Sequence, residues 1–133
     1  MEPSVTILLV EDDPLVQDVS RLALEDGGYA VLPANSGDEA IHFIWHSDQP
    51  LSGLVTDVQL GSGPSGWDVA RAGRERDPEL PVVYMTGDSA HEWAAHGVPK
   101  SILLQKPVAT AQLVTAISTL LNKVDSNPHL PAA

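Results

Sequence analysis

Short apolar runs alternate with amphipathic stretches along the chain, and Gly, Pro, Ser and Asp residues separate them. The apolar runs are continuous and rich in leucine or β-branched residues, which is typical of strands covered on both faces. They predict five strands, at residues 5–10, 29–34, 54–57, 80–85 and 101–104. Because helices separate these strands, the pattern predicts a doubly wound α/β domain: a five-stranded parallel sheet with helices on both faces.

The stretches between the runs carry helix signals. Asp13 before Pro14 is typical of an N-cap with proline at the first helical position, and a Gly-Gly pair ends that helix. Ser36 and Glu39 have the spacing of a capping box, a short helix follows residue 66, and a weak helix covers residues 91–96. Apolar positions at helical spacing predict one face each for the first, second and last helices: Leu15, Val16, Val19, Leu22 and Ala23; Ala40, Ile41, Ile44 and Trp45; Leu113, Ile117, Leu120 and Leu121.

Length and composition narrow the class of protein. A chain of 133 residues is expected to form one domain, which we place at residues 5–122, with 123–133 as a flexible C-terminal tail. The absence of cysteine excludes disulfides, thiolate metal sites and a cysteine nucleophile. No apolar run approaches the ~18 residues of a membrane span, and the first residues lack the basic region of a secretory signal.

Charge narrows the choice of partners. The chain has 18 acidic and 7 basic side chains, and its formal net charge is −11. Such a surface repels phosphates, which argues against direct binding to nucleic acid. We therefore expect a cytoplasmic domain that contacts neither nucleic acid nor membrane.

Polar residues stand where the predicted strands end, and ligands of open parallel sheets bind at that edge. Glu11 and Asp12 follow the first strand, Asp57 ends the third, Thr86 follows the fourth, and Lys106 follows the fifth. Clustered carboxylates favour a hard cation such as Mg²⁺. A free carboxylate can act as a nucleophile and form an acyl phosphate, while a lysine and a hydroxyl bind phosphate oxygens. The set therefore predicts a site for phosphoryl transfer.

Four segments occur in an order and spacing that identify a family: ILLVEDD (7–13), LVTDVQL (54–60), PVVYMTGD (81–88) and LLQKP (103–107). Over residues 5–122 the chain resembles the receiver domain of two-component response regulators. The resemblance implies a flavodoxin-like fold with strand order 2-1-3-4-5 and Mg²⁺ as cofactor. It also implies a phosphoryl donor, either a sensor histidine kinase or a histidine phosphotransfer protein. The chain would be a signalling phosphoacceptor rather than an enzyme.

The resemblance also implies a role for each site residue. Asp57 would accept the phosphoryl group, and Thr86 and Lys106 would bind it after transfer. The implied metal ligands are Glu11, Asp12, Asp57 and the backbone carbonyl of Gln59. Asp13 is interpreted as a helix cap and not as a ligand, and the Lys106–Pro107 peptide bond is expected to be cis.

The chain departs from the family pattern near the surface that receivers use for output. Leu103 stands where the family often has an aromatic switch residue, so Tyr84 is a candidate replacement. The loop after Asp57 is long and lacks the usual Met-Pro pair, and residues 96–101 form a long connection after a short fourth helix. These changes leave the predicted chemistry intact and affect the output mechanism.

Two other functions stay open from sequence. A phosphohydrolase with an aspartyl-phosphate intermediate usually has a second Asp two residues after the nucleophile, but Gln59 occupies that position and cannot titrate. The second alternative is a receiver-like interaction module that is not phosphorylated. A homodimer through the last helix is a further possibility.

Several conspicuous residues are interpreted as structural. His42 and His46 lie one helical turn apart, but no third ligand is near in sequence, so we expect a solvated helix face. Glycines 61, 63 and 66 lack the Lys-Ser/Thr of a phosphate-binding loop, and we interpret them as a flexible loop beside Asp57. The three tryptophans, Trp45, Trp67 and Trp93, are expected to pack rather than to stack on a ligand.

Overall fold

Strands and helices alternate along the chain as the sequence pattern predicts. The computed structural model describes residues 5–126, with side chains through residue 124. The strands are β1 (Thr6–Val10), β2 (Ala30–Ala34), β3 (Gly53–Asp57), β4 (Val82–Thr86) and β5 (Ile102–Gln105). The helices are α1 (Pro14–Asp26), α2 (Gly37–His46), α3 (Gly66–Arg76), α4 (Trp93–His96) and α5 (Thr110–Ser126), and a 3-10 turn at Ala90–Glu92 precedes α4.

The five strands form one parallel sheet in the order β2-β1-β3-β4-β5. The chain adds β2 on one side of β1 and then crosses to β3 on the other side, which creates the switch point of a doubly wound sheet. The predicted fold class and strand order are confirmed. All five strands end on the same edge of the sheet, so the residues that follow them are brought together.

Apolar side chains cover both faces of the sheet, since successive residues of a strand point to opposite sides. On one face Ile7 and Leu9 pack with Leu24 of α1 and Ile117 of α5. The opposite face carries Leu8, Val10, Leu54 and Tyr84, which pack against α2, α3 and Val98. Strands buried on both sides explain the continuous apolar runs of the sequence.

The predicted helix caps are present. The Asp13 carboxylate accepts hydrogen bonds from the backbone N–H groups of Leu15 and Val16, at 3.0 and 3.4 Å. The Ser36 hydroxyl accepts from the Glu39 N–H at 3.1 Å. The other half of the predicted capping box does not form, because Glu39 Oε1 accepts from the Asn35 N–H at 2.8 Å and not from the Ser36 N–H. These bonds fix where α1 and α2 begin, and α1 in turn begins directly after the acidic residues of the β1 end.

The face predicted for α1 is wrong in part. Leu15, Val19 and Leu22 are 73%, 50% and 52% exposed, whereas Ser20 and Leu24 are buried. Apolar residues occur on two adjoining sides of this helix, and the side that includes Leu24 is the one that packs on the sheet and α5. Trp45 of α2 is also 44% exposed, so it does not belong to the buried face of that helix.

The C-terminal boundary also differs from the predicted one. Helix α5 continues to Ser126, so residues 123–126 belong to a helix and not to a flexible tail. Residues 127–133 of the predicted tail lie outside the described residues. The short fourth helix is confirmed, because α4 has only four residues and ends at His96, with Gly97 as its C-cap. Among residues 5–126, no helix combines the length and the apolarity that crossing a membrane requires.

Candidate functional site

Strand register explains why the polar residues meet. Val10 pairs with Thr56, so Glu11, one residue further, lies beside Asp57 at the carboxyl edge. Asp57 itself pairs with Met85, and Thr86 is the next residue of β4. Thr86 pairs with Gln105, which places Lys106 one step beyond it on the outer strand. The sheet thus brings residues from four strand ends to one place.

Three carboxylates form the centre of the site. One oxygen from each of Glu11, Asp12 and Asp57 lies within 4.8 Å of the others. Glu11 is 1% exposed and Asp57 is 6% exposed, whereas Asp12 faces solvent. Burial and the negative charge of Asp57 raise the pKa of Glu11 to about 7, although Lys106 and a hydrogen bond from the Asp13 N–H oppose this shift. Crowding of the carboxylates therefore disfavours their ionised forms, and a bound cation would reduce this repulsion.

Lys106 supplies one cation. Its Nζ donates to Asp57 Oδ2 at 2.8 Å and to Glu11 Oε2 at 3.4 Å. Burial by itself lowers the pKa of Lys106, but the hydrogen bond and the charge of Asp57, with the charge of Glu11, hold that pKa above its ordinary value. The ammonium group thus stays charged next to Asp57. The Lys106–Pro107 bond is cis, as expected from the sequence.

The three carboxylates also fit a second, divalent cation. Mg²⁺ prefers oxygen ligands and is bound in proteins through a few carboxylates. Glu11, Asp12 and Asp57 provide such oxygens around one point, and within the described part of the chain they are the only group of three potential metal-ligating side chains found. The contribution of the Gln59 carbonyl stays a prediction.

The Thr86 hydroxyl forms a hydrogen bond to the loop after β4 and not to the carboxylates of the site. Thr86 is buried, and its Oγ1 accepts a hydrogen bond from the Ser89 N–H at 2.9 Å. The Gln59 side chain donates to Ser89 Oγ at 3.2 Å. Ser89 therefore links the loop after β3 to the loop after β4 above the site. Ser89 was not predicted from the sequence, because it contacts Thr86 through its backbone N–H, which residue type does not reveal.

Gln17 is a second residue that the sequence analysis missed. Its Nε2 lies 3.1 Å from the carbonyl oxygens of Glu11 and Ala34 and 2.9 Å from Asn35 Oδ1. One amide thus ties α1 to the ends of β1 and β2 and holds the backbone of the acidic residues. A glutamine in the first turn of a helix gives no sequence signal for such a role.

The glycine-rich loop has a more specific role than flexibility. Gly66 is the buried first residue of α3, and its N–H donates to the Val58 carbonyl at 2.8 Å. A Cβ at this position would overlap the carbonyl oxygen of Asp57 and lie 2.8 Å from Val58 Cα. Gly61 and Gly63 have φ of 77° and 90°, which only glycine adopts readily. The loop is therefore built to bring α3 against the backbone of Asp57.

The position of the expected aromatic switch is occupied by a leucine packed in the core. Leu103 is partly buried and pairs with Tyr84 in the sheet register. Tyr84 is fully buried, its hydroxyl accepts from the Val98 N–H at 3.1 Å, and its ring centroid lies 4.6 Å from that of Trp67. Tyr84 thus connects β4 with α3 and with the segment before β5.

The remaining conspicuous side chains behave mostly as expected. His42 and His46 are exposed and their rings stack at 4.4 Å, which agrees with a solvated helix face. Trp67 is buried, as predicted for a packing residue, but Trp93 is 38% exposed and donates to Ser101 Oγ at 3.0 Å.

Comparison with known proteins agrees with this geometry. The family model described as the response regulator receiver domain matches residues 7–118. The chain belongs to this family. A crystal structure of a receiver protein from Sinorhizobium medicae is 45% identical in sequence, and the two superpose with a TM-score of 0.86 over 90% of this chain and 95% of that one.

Longer relatives contain the same receiver domain. Response regulator MprA of Mycobacterium bovis is 36% identical over 123 residues, which is 90% of this chain and 52% of that protein. Sensor kinase CckA of Brucella abortus is 32% identical over 127 residues, 92% of this chain and 13% of the kinase. The chain therefore spans about half of one relative and a small part of the other.

Proposed function

We propose that Asp57 accepts a phosphoryl group from a phosphohistidine of a partner protein and that the modified chain changes its protein contacts. The observation that carries this proposal is the Asp57 carboxylate, which lies between two further carboxylates and an ammonium group 2.8 Å away. This arrangement offers a nucleophile together with groups that neutralise a phosphate. The proposal is consistent with membership of the receiver family.

The transfer step needs no co-reactant. A carboxylate oxygen of Asp57 attacks the phosphorus, an O–P bond forms, and the N–P bond breaks with its electron pair on the donor histidine nitrogen. Lys106 neutralises oxygens of the transferred group. Glu11, Asp12 and Asp57 would hold Mg²⁺, with the Gln59 carbonyl as a further ligand. Bound there, the metal would supply charge neutralisation for the phosphoryl oxygens.

The hydrogen bond between Thr86 and Ser89 suggests how the modification reaches the surface. A phosphoryl group on Asp57 offers a charged acceptor to the Thr86 hydroxyl, which at present accepts from the Ser89 N–H. If Thr86 turns to the phosphoryl group, Ser89 loses that bond, and the loop before α4 gains freedom. Phosphorylation would in this way shift a two-state equilibrium in the loop.

An exposed apolar stripe supports the choice of a protein as donor. Leu15, Val19 and Leu22 lie on α1, which begins next to the acidic site, and all three are at least half exposed. Exposed apolar groups that cluster on one face commonly mark a surface for protein contacts. We infer that a histidine kinase or a histidine phosphotransfer protein docks there while its histidine reaches Asp57. Because such donors obtain their phosphoryl group from ATP inside the cell, we propose a cytoplasmic location.

The acyl phosphate is expected to hydrolyse on the chain itself, which resets the signal without making the chain an enzyme for an external substrate. The residues that act in this cycle are proposed to be Asp57, Thr86 and Lys106.

Intact mass spectrometry after incubation with acetyl phosphate and Mg²⁺ tests the proposal. We expect one phosphoryl adduct in the wild type, its loss on treatment with hydroxylamine, and no adduct in Asp57→Asn. The matched control is Asp48→Asn, because Asp48 is exposed at the opposite end of the sheet. An adduct that persists in Asp57→Asn would refute the assignment. The absence of an adduct in the wild type would favour an interaction module that is not phosphorylated.

A further inference from the structure

A groove of about 950 Å³ lies at the opposite end of the sheet from Asp57. Its walls are the end of α3, the segments that precede β4 and β5, and the last turns of α5. This volume is at the upper end of the ~300–1,000 Å³ that is common for ligand sites. The proposed phosphoryl chemistry uses none of the residues that line it.

The walls of the groove are held in place by protein contacts. Arg74 crosses between two of them, since its Nε donates to the Leu80 carbonyl at 2.7 Å and its Nη1 to the Pro99 carbonyl at 2.6 Å. Pro78 and Pro81 also line the groove and restrict the backbone before β4. A pre-formed groove loses little conformational entropy when an occupant binds.

Several aliphatic side chains line the groove. Leu80, Val98 and Leu120 are buried, and Ile102 and Val124 complete this surface. The residues that line the groove include no aromatic side chain, so it offers no ring to stack on a nucleobase. Its apolar part therefore suits aliphatic side chains.

Positively charged side chains also line the groove. Arg74, Lys100 and Lys123 are three of the chain's seven basic residues, whereas Glu79 is the only acidic residue among residues 5–124 that lines the groove. Among the side chains of residues 5–124, no carboxylate lies within ion-pair distance of any of these three cations. A protein of net charge −11 thus presents unpaired positive charge at one place.

Lys100 adds a backbone observation. Its φ is 61°, and it is the only residue other than glycine with a positive φ in the described part of the chain. Glycine would adopt this conformation at lower cost, and strained backbone is found disproportionately at functional positions.

We propose that this groove binds a segment of a partner protein in which aliphatic side chains alternate with carboxylates. The three cations stand on three different elements, α3, the segment before β5, and α5, which suits several carboxylates along one extended segment better than a small anion with one charged group. Residues 127–133 of the chain itself contain no acidic side chain and would leave the cations unpaired.

Fluorescence anisotropy with the full chain tests this inference. The probe is a fluorescein-labelled octapeptide of alternating leucine and glutamate, and the comparison peptides alternate serine with glutamate or leucine with serine. We expect saturable binding of the leucine–glutamate peptide and at least tenfold weaker binding of the other two. Because the protein as a whole repels acidic peptides, general electrostatics would not produce this result.

A matched pair of variants locates the binding site. Lys123→Glu should weaken binding of the leucine–glutamate peptide about fivefold or more, while Arg21→Glu, which changes the net charge equally on α1, should leave it unchanged. Far-UV circular dichroism of both variants verifies the fold. No binding in the wild type, or equal weakening in both variants, would overturn the proposal.

Two other occupants would also overturn it. Nuclear Overhauser contacts from Leu130 to Leu120 or Val124 in the full chain would assign the groove to residues 127–133. Self-association in sedimentation velocity that Lys123→Glu abolishes would assign it to a second copy of the chain. None of these measurements requires phosphorylation, so their outcome is independent of the function proposed for Asp57.

Discussion

At the scale of residues, the balance of charge around Asp57 determines both chemistry and stability. Two nearly buried carboxylates share a single ammonium group, and a third carboxylate stands at the surface beside them. If the ammonium group is removed, the two nearly buried carboxylates repel each other with little water to screen their charges. The balance of charge that allows the site to accept a phosphoryl group therefore also makes the stability of the fold depend on Lys106.

We expect Lys106→Ala to lower the free energy of unfolding by about 1–3 kcal/mol when Mg²⁺ is absent. This range is below that of a fully buried pair because the Lys106 side chain is 29% exposed. The measurement is urea denaturation at pH 8, where Glu11 is mainly ionised because its pKa is about 7. The loss should be smaller in excess Mg²⁺, which would supply positive charge to the same carboxylates.

The control for this prediction is Lys123→Ala, an exposed lysine near the end of α5. Its free energy of unfolding should stay within about 0.5 kcal/mol of the wild type, as for most surface substitutions. Equal stability of Lys106→Ala and the wild type would mean that Lys106 does not compensate the charges of Glu11 and Asp57.

Residues that follow strand ends could be predicted from the sequence, whereas residues that act through one specific hydrogen bond to a distant group could not. Asp57 and Lys106 could be predicted because parallel pairing aligns strand ends, whatever the loops do. The roles of Ser89 and Gln17 could not, since each depends on the direction of one side chain relative to a distant backbone group. Pattern and spacing carry no information of that kind.

At the scale of elements, capping signals predicted where helices begin, but periodicity did not decide how α1 is rotated. Asp13 and Pro14 set its first turn as expected. The helix has apolar residues on two adjoining sides, and packing on the sheet and α5 selects the side of Leu24 over that of Leu15 and Leu22. The exposed stripe that results is the surface proposed above as the docking site of the phosphoryl donor.

Gly66 is the position where helix α3 packs directly against the backbone of Asp57. We expect Gly66→Ala to destabilise the fold by about 3 kcal/mol or more, because the added methyl group meets backbone atoms of Asp57 and Val58, which cannot move aside as a side chain can. Either α3 shifts away or the end of β3 is displaced. Thermal unfolding, together with acetyl phosphate labelling, measures both effects.

Gly87→Ala is the matched control, since nothing lies within 4 Å of a Cβ at Gly87 and its φ is not in the positive region. This variant should be as stable as the wild type, or more stable by up to about 1 kcal/mol through lower entropy of the unfolded chain. If both glycine variants lose stability equally, the close approach of α3 to Asp57 is not what requires glycine at position 66.

At the scale of the whole molecule, four of the seven basic residues of an acidic chain lie at opposite ends of the sheet. Lys106 stands among the carboxylates of the site, and Arg74, Lys100 and Lys123 line the groove at the other end. A net charge of −11 opposes compact folding through self-repulsion, so cations should stabilise the chain in general. A divalent cation that binds the three carboxylates should stabilise the chain more than screening of the overall charge does.

We expect Mg²⁺ at ten times its dissociation constant to raise the free energy of unfolding by about 1.4 kcal/mol, which corresponds to about 5 °C in Tm for a domain of this size. The measurement is thermal unfolding in MgCl₂ against KCl of equal ionic strength. KCl screens the same overall repulsion but cannot bridge the three carboxylates. Asp12→Asn removes the most exposed of them with the least disturbance of the fold, and it should abolish most of the difference between the two salts. If KCl raises Tm as much as MgCl₂ does, or if Asp12→Asn responds like the wild type, the stabilisation comes from screening of the whole surface and the acidic cluster is not a metal site.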